Sequence, residues 1–258
     1  MTIDRFRRIS LLSVALYFIG SAVVAQAQDA ELPFTPTLTA GGTSLVNDDV
    51  FANADGSYTL IGHQQGGNAA GLVWDLTWNL TLNQDPSIGG SLTLRNLTST
   101  TRNFNLQFSL PILPAFSSSV FGGSLDARIT DTNNDGTARM APLAVSPSIY
   151  RGLIDSTTVL SLFAADLQCF GAGCSAGGVE SDGLPGLTLQ GPGATSSITT
   201  WLNFSLTAGD SVTFLTNFVV EPSPVPLPAA LPMLLAGLGG FFALRRRRAA
   251  AGISAPVS

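Results

Sequence analysis

The chain has 258 residues, 45% of them hydrophobic and only 11% charged, with a formal net charge of −5. That charged fraction is well below the roughly 25% of an ordinary soluble domain, and the length admits one large domain or two small ones. Between Gln28 and Pro224 lie sixteen of the seventeen acids but five of the twelve bases, a formal −11, and the chain has no lysine; such a surface repels nucleic acid and anionic lipid and disfavours both as partners.

At the N-terminus, Arg5, Arg7 and Arg8 precede an apolar stretch from Leu11 to Val24, followed by Ala25-Gln26-Ala27. A basic region, an apolar region and a small-x-small site are the parts of a secretory signal, predicting removal of residues 1–27 by signal peptidase and a mature start at Gln28. The stretch is short for a permanent spanning helix. Ser10 stands where a twin-arginine signal prefers an aromatic residue, so the general secretory route is expected.

From Gln28 onward the patterning has period two. Trp74, Leu76, Trp78, Leu80 and Leu82 alternate with Asp75, Thr77, Asn79 and Thr81, and Phe104, Leu106, Phe108 and Leu110 alternate with polar residues in the same way. Ile198, Leu202, Phe204 and Leu206 share a face, Ala208-Gly209-Asp210 makes a turn, and Val212, Phe214, Phe218 and Val220 share the next face, which predicts a β-hairpin. Weaker strands are expected over residues 57–61, 91–97, 119–130, 149–153 and 159–167. Eight to ten strands separated by Gly, Asn, Asp and Pro predict an all-β domain over residues 28–220, an antiparallel β-sandwich of jelly-roll or immunoglobulin-like type.

Within this body, His63 is the sole histidine, in a Gly62–Gly67 segment that reads as a polar turn. With no Gly-x-Ser-x-Gly elbow and no lysine, neither a serine-hydrolase site nor Schiff-base chemistry is indicated, and a non-enzymatic protein is expected. Dispersed carboxylates of a secreted hydrolase leave no local signature and stay open as an alternative. Asp131, Asn133, Asp135 and Thr137, with Gly136 between, match the first half of a calcium loop, but Pro142 stands where the bidentate Glu belongs. The segment reads either as a self-capping Asx-rich turn or as a weak Ca2+ site. Cys169 and Cys174 are the only cysteines and predict a disulfide closing a Gly-rich loop; a metal site would need further soft ligands. Trp201 breaks the even-numbered alternation, so it points away from Leu202 and Phe204, either to stack on a sugar or to cover the sheet. The Asn-x-Ser/Thr triplets at Asn79, Asn96 and Asn203 read as strand composition.

The C-terminal segment has three parts. Residues 221–228 form a Pro-rich linker ending in Val225-Pro226-Leu227-Pro228, residues 229–248 contain an apolar helix and Arg245, Arg246, Arg247 and Arg248, and residues 249–258 form a short tail. The uncharged run from Leu227 to Leu244 would rise ~27 Å as a helix, against a bilayer core of ~30 Å, and the arginines stop transfer and hold the tail in the cytoplasm. The order of Pro-containing motif, transmembrane helix and basic cluster resembles the PEP-CTERM sorting signal of Gram-negative bacteria, in a Val-Pro-Leu-Pro variant where Leu227 replaces the commoner Glu; a plain tail anchor is the alternative. The resemblance implies recognition by the membrane protease exosortase and cleavage near Val225–Pro228. It further implies transient residence in the inner membrane with the body in the periplasm, release to the cell surface or exterior, and association with exopolysaccharide, biofilm or floc formation. A Ca2+-dependent carbohydrate-binding or adhesive module is the second reading.

Overall fold

The computed structural model describes residues 32–183 and 189–224. They form strands β1 Thr37–Ala40, β2 Thr43–Ser44, β3 Asp49–Ala52, β4 Tyr58–Asn68, β5 Gly71–Asn83, β6 Ser87–Asn96, β7 Arg102–Pro111 and β8 Phe116–Thr130. Then follow β9 Thr137–Pro142, β10 Tyr150–Ile154, β11 Thr157–Leu162, β12 Leu167–Phe170, β13 Ser175–Gly183, β14 Leu189–Ala194, β15 Ser197–Leu206 and β16 Ser211–Pro222. Among the described residues there is no helix. The expected signal peptide, the sorting motif Val225–Pro228, the apolar span and Arg245–Arg248 lie outside them.

The strands build two antiparallel sheets packed as a sandwich. The first runs β11-β10-β15-β7-β1-β2, with β9 on the far part of β15 and β12 on β9. The second runs β13-β8-β16-β6-β5-β4-β3, with β14 sharing the outer edge of β8 beside β13. β3 to β6 form a meander, whereas later connections repeatedly cross between sheets. The two-residue period of the sequence explains the core. Leu76, Leu94, Val212 and Ile129 are successive register partners across the second sheet, all fully buried. From the facing sheet, Phe104, Phe108 and Phe204 fill the same interior, with Phe204 edge-on to Phe214 at 5.2 Å. Each such side chain contributes roughly 1.5–3 kcal/mol through burial.

Two expectations are corrected. β15 and β16 do not pair with each other: β15 lies between β7 and β10 in one sheet, and β16 between β6 and β8 in the other. Residues 207–210 turn the chain from sheet to sheet, and both strands still present one apolar face inward, so alternation alone does not distinguish a corner from a hairpin. The Gly62–Gly67 segment is not a turn but the middle of β4. Its glycines make room for indoles from β5: a Cβ on Gly62 would stand 2.1 Å from the Trp78 ring, and one on Gly66 2.1 Å from the Trp74 ring.

Candidate functional site

At one end of the second sheet the core gives way to polar chemistry within a single row. One step beyond Leu76, Leu94, Val212 and Ile129, on the same inward parity, stand Trp74, Asn96, Asp210 and Asp131. Trp74 and Asn96 are register partners. The Asn96 amide donates to the Asp210 carbonyl at 2.9 Å, and Asp210 and Asp131 flank the paired residues Ser211 and Thr130. The Asp131 amide continues the row by donating to the Cys174 carbonyl at 2.9 Å. Asn96 is fully buried and ties the sheets together: its Nδ2 donates to the carbonyls of Thr100, Leu206 and Thr207, and its Oδ1 accepts from the Thr98 amide and hydroxyl.

One half of the row opens into a cavity of about 210 Å3 lined by Trp74, Phe104, Arg102, Asn103, Asn105 and Gly41 among others. Trp74 is half-buried, seated on Gly66, while Arg102 and Asn103 are exposed at the mouth. An indole ring, a guanidinium and two carboxamides offer apolar surface and hydrogen-bonding groups to a polar ligand. A second, shallower cleft of about 370 Å3 lies on the outer face of the same sheet, lined by Asp126, Arg128, Ser175, Thr213 and Leu215. No aromatic side chain lines it.

The other half of the row is acidic. Asp131 is 2% exposed and Asp210 fully buried. Asp131 Oδ2 accepts from the amides of Gly136 and Gly173, both at 3.0 Å, and Asp210 Oδ2 accepts from the Thr207 hydroxyl. The remaining oxygen of each, Oδ1, is buried without a partner. Burial pushes the Asp210 carboxyl above its ordinary pKa, the charges of Asp131 and Asp135 push the same way, and the Thr207 hydroxyl and, more weakly, the Thr132 amide offset only part of this. Among the described residues, no group of three His, Cys, Asp or Glu side chains forms a metal centre.

The residues expected to form a calcium loop divide. Asn133 and Asp135 close Asx turns: the Asp135 amide donates to Asn133 Oδ1 at 2.9 Å, the Thr137 amide to Asp135 Oδ1 at 3.1 Å, and Asn133 Nδ2 to Asp135 Oδ2 at 2.9 Å. These bonds hold the exposed Asp135 carboxyl below its ordinary value, that from Asn133 first and that from Thr137 second. Asp131 alone turns inward. Cys169 and Cys174 form the disulfide, and the loop they close lies against Asp131. Trp201 does point outward, but its ring lies under the Arg151 guanidinium at 4.0 Å and is half-buried. His63 lies on the exposed face of β4, its Nε2 2.9 Å from Asp75 Oδ1.

Alternation places Trp74 among the apolar positions of its strand, and the sequence places Asp210 in a turn. The available signals were positional: Trp74 ends its alternating run, and Asp210 shares the parity of Val212 and Phe214. Neither a scan against protein-family models nor a search of curated proteins finds a match. A structure of TmCBM61 in complex with β-1,4-galactotriose is similar over 62% of this chain and 88% of that one, at 10% identity and a TM-score of 0.28. A likeness this distant carries no assignment of ligand.

Proposed function

We propose that the chain is an exported, non-enzymatic envelope or matrix protein, sorted by exosortase and working in exopolysaccharide, biofilm or floc formation. The observation that carries this reading is the order Val225-Pro226-Leu227-Pro228, an apolar run to Leu244, then Arg245–Arg248. Two features of the body suit it: a disulfide between its only cysteines, which persists in oxidising compartments, and a strongly acidic, lysine-free composition. Deleting exosortase should leave full-length protein in the inner membrane, with an intact mass that includes residues 229–258. Unchanged cleavage and unchanged localisation would refute the sorting assignment.

A second reading concerns the body alone. The Trp74 cavity favours carbohydrate as its ligand, because an indole ring beside neutral amides and a guanidinium suits the apolar patches and hydroxyls of a sugar. Trp201 is the weaker candidate, since Arg151 covers its ring. In pull-downs on the host exopolysaccharide and a panel of neutral polysaccharides, Trp74→Ala should lose most retention and Trp201→Ala should keep it. The comparison is scored on variants that still unfold cooperatively. Undiminished retention by Trp74→Ala would exclude the cavity.

A further inference from the structure

We infer that Asp131 and Asp210 form a calcium site, with the ion held between β8 and β16 at the end of the sandwich and not inside the 131–137 loop. Three observations carry this. The two carboxylates are cross-strand neighbours on the inward parity, one position beyond the paired Thr130 and Ser211, where side chains of facing strands come within about 5 Å at Cβ. Both are almost wholly buried, and two like charges so placed repel each other unless something neutralises them. Each also keeps one oxygen without a partner, although its other oxygen is bonded: Asp131 Oδ2 by Gly136 and Gly173, Asp210 Oδ2 by Thr207.

A divalent cation satisfies all three conditions together. It neutralises the pair, occupies the free oxygens and leaves the existing hydrogen bonds in place. The donor chemistry selects the ion. Both cysteines are in the disulfide and the one histidine pairs with Asp75 on another strand, so soft-ligand metals have nothing to bind. Carboxylates supplemented by neutral oxygens of the 207–210 corner, such as the Thr207 hydroxyl, suit calcium, which accepts irregular geometry; magnesium demands a near-ideal octahedron. Two carboxylates rather than three or four place the affinity in the weak range of extracellular sites.

The full chain, purified in mild detergent and stripped with chelator, is titrated with CaCl2 or MgCl2 by calorimetry and melted by circular dichroism. Wild type should take up about one Ca2+ per chain, with Tm rising by roughly 3–6 °C at a tenfold excess over Kd. Asp210→Asn and Asp131→Asn should abolish both signals. Asp135→Asn, which removes only a nearby charge, should keep the stoichiometry. Absence of calcium heat and of any Tm shift in wild type overturns the site. Binding that survives Asp210→Asn but is lost in Asp135→Asn overturns it too, by moving the ion into the loop. A higher Tm for Asp210→Asn without calcium binding by wild type would mean that a shared proton neutralises the pair, and also overturns it. Should Asp131→Asn fail to fold, wild type and Asp210→Asn alone decide.

Discussion

Asp155 shows how much of this fold hangs on single carboxylates. It has φ +54° at the end of β10 and accepts hydrogen bonds from the amides of Thr195, Ser196 and Ser197 and the hydroxyls of Thr195 and Ser196, between 2.8 and 3.3 Å. Partial burial opposes its charge, but these donors, Ser197 and Ser196 foremost, outweigh burial and hold the carboxyl well below the usual carboxylate range. A depressed folded pKa contributes stability that is fully present above the unfolded value of ~3.9 and is lost as pH falls toward the folded value. Asp155→Asn tolerates the positive φ and should cost about 1.5 kcal/mol at pH 7. Urea unfolding at pH 7 and at pH 2.5 checks this: the gap to wild type should narrow at the lower pH, and an equal gap would contradict the assignment.

At the scale of elements, β4 and β5 form a unit in which glycine and tryptophan are complementary. Gly62 and Gly66 give the indoles of Trp78 and Trp74 a floor, and Trp78 Nε1 is fixed by Asn47 Oδ1 at 3.0 Å. Gly62→Ala should force the buried Trp78 off its seat and cost about 1–3 kcal/mol by overpacking. Gly66→Ala should instead tilt Trp74, which is free on its cavity side, and change the near-UV dichroism at a smaller loss of stability. Equal effects in both variants would argue against this difference in seating. The same pair explains what could be read from sequence. β5, β7, β15 and β16 were legible because alternation writes side-chain direction into residue type. β4 was legible only to Ile61, because glycine carries no direction and Gly62–Gly67 resembles a turn. Strands such as β2, β3 and β12 span two to four residues, too few for a period to show. Asp210 was hidden for another reason: Ala-Gly-Asp reads as a turn wherever the chain goes next, and only the placement of β15 and β16 in different sheets turns its carboxyl inward.

Across the whole molecule, the polar residues that matter most collect at one end, where Trp74, Asn96, Asp210, Asp131 and Cys174 cross the second sheet in line. The disulfide anchors the outer limit of that line. The loop it closes is small, its cysteines five positions apart in sequence, so loop closure accounts for about 2 kcal/mol. The Cys169→Ser/Cys174→Ser double variant should lose about that much in denaturant titrations, and wild type melted with reductant should match it. A loss confined to wild type under reductant would point to some other sensitivity. Gly173 donates to the Asp131 carboxylate and Cys174 accepts from the Asp131 amide, so the sulfur bridge and the buried acid share one strap. Where thiols stay reduced the strap has no covalent closure, and the end of the sheet it covers is unlatched. On the export route proposed above, this end is fastened only where the compartment is oxidising. On that route the cysteines act as a clock, marking when this end of the sheet closes.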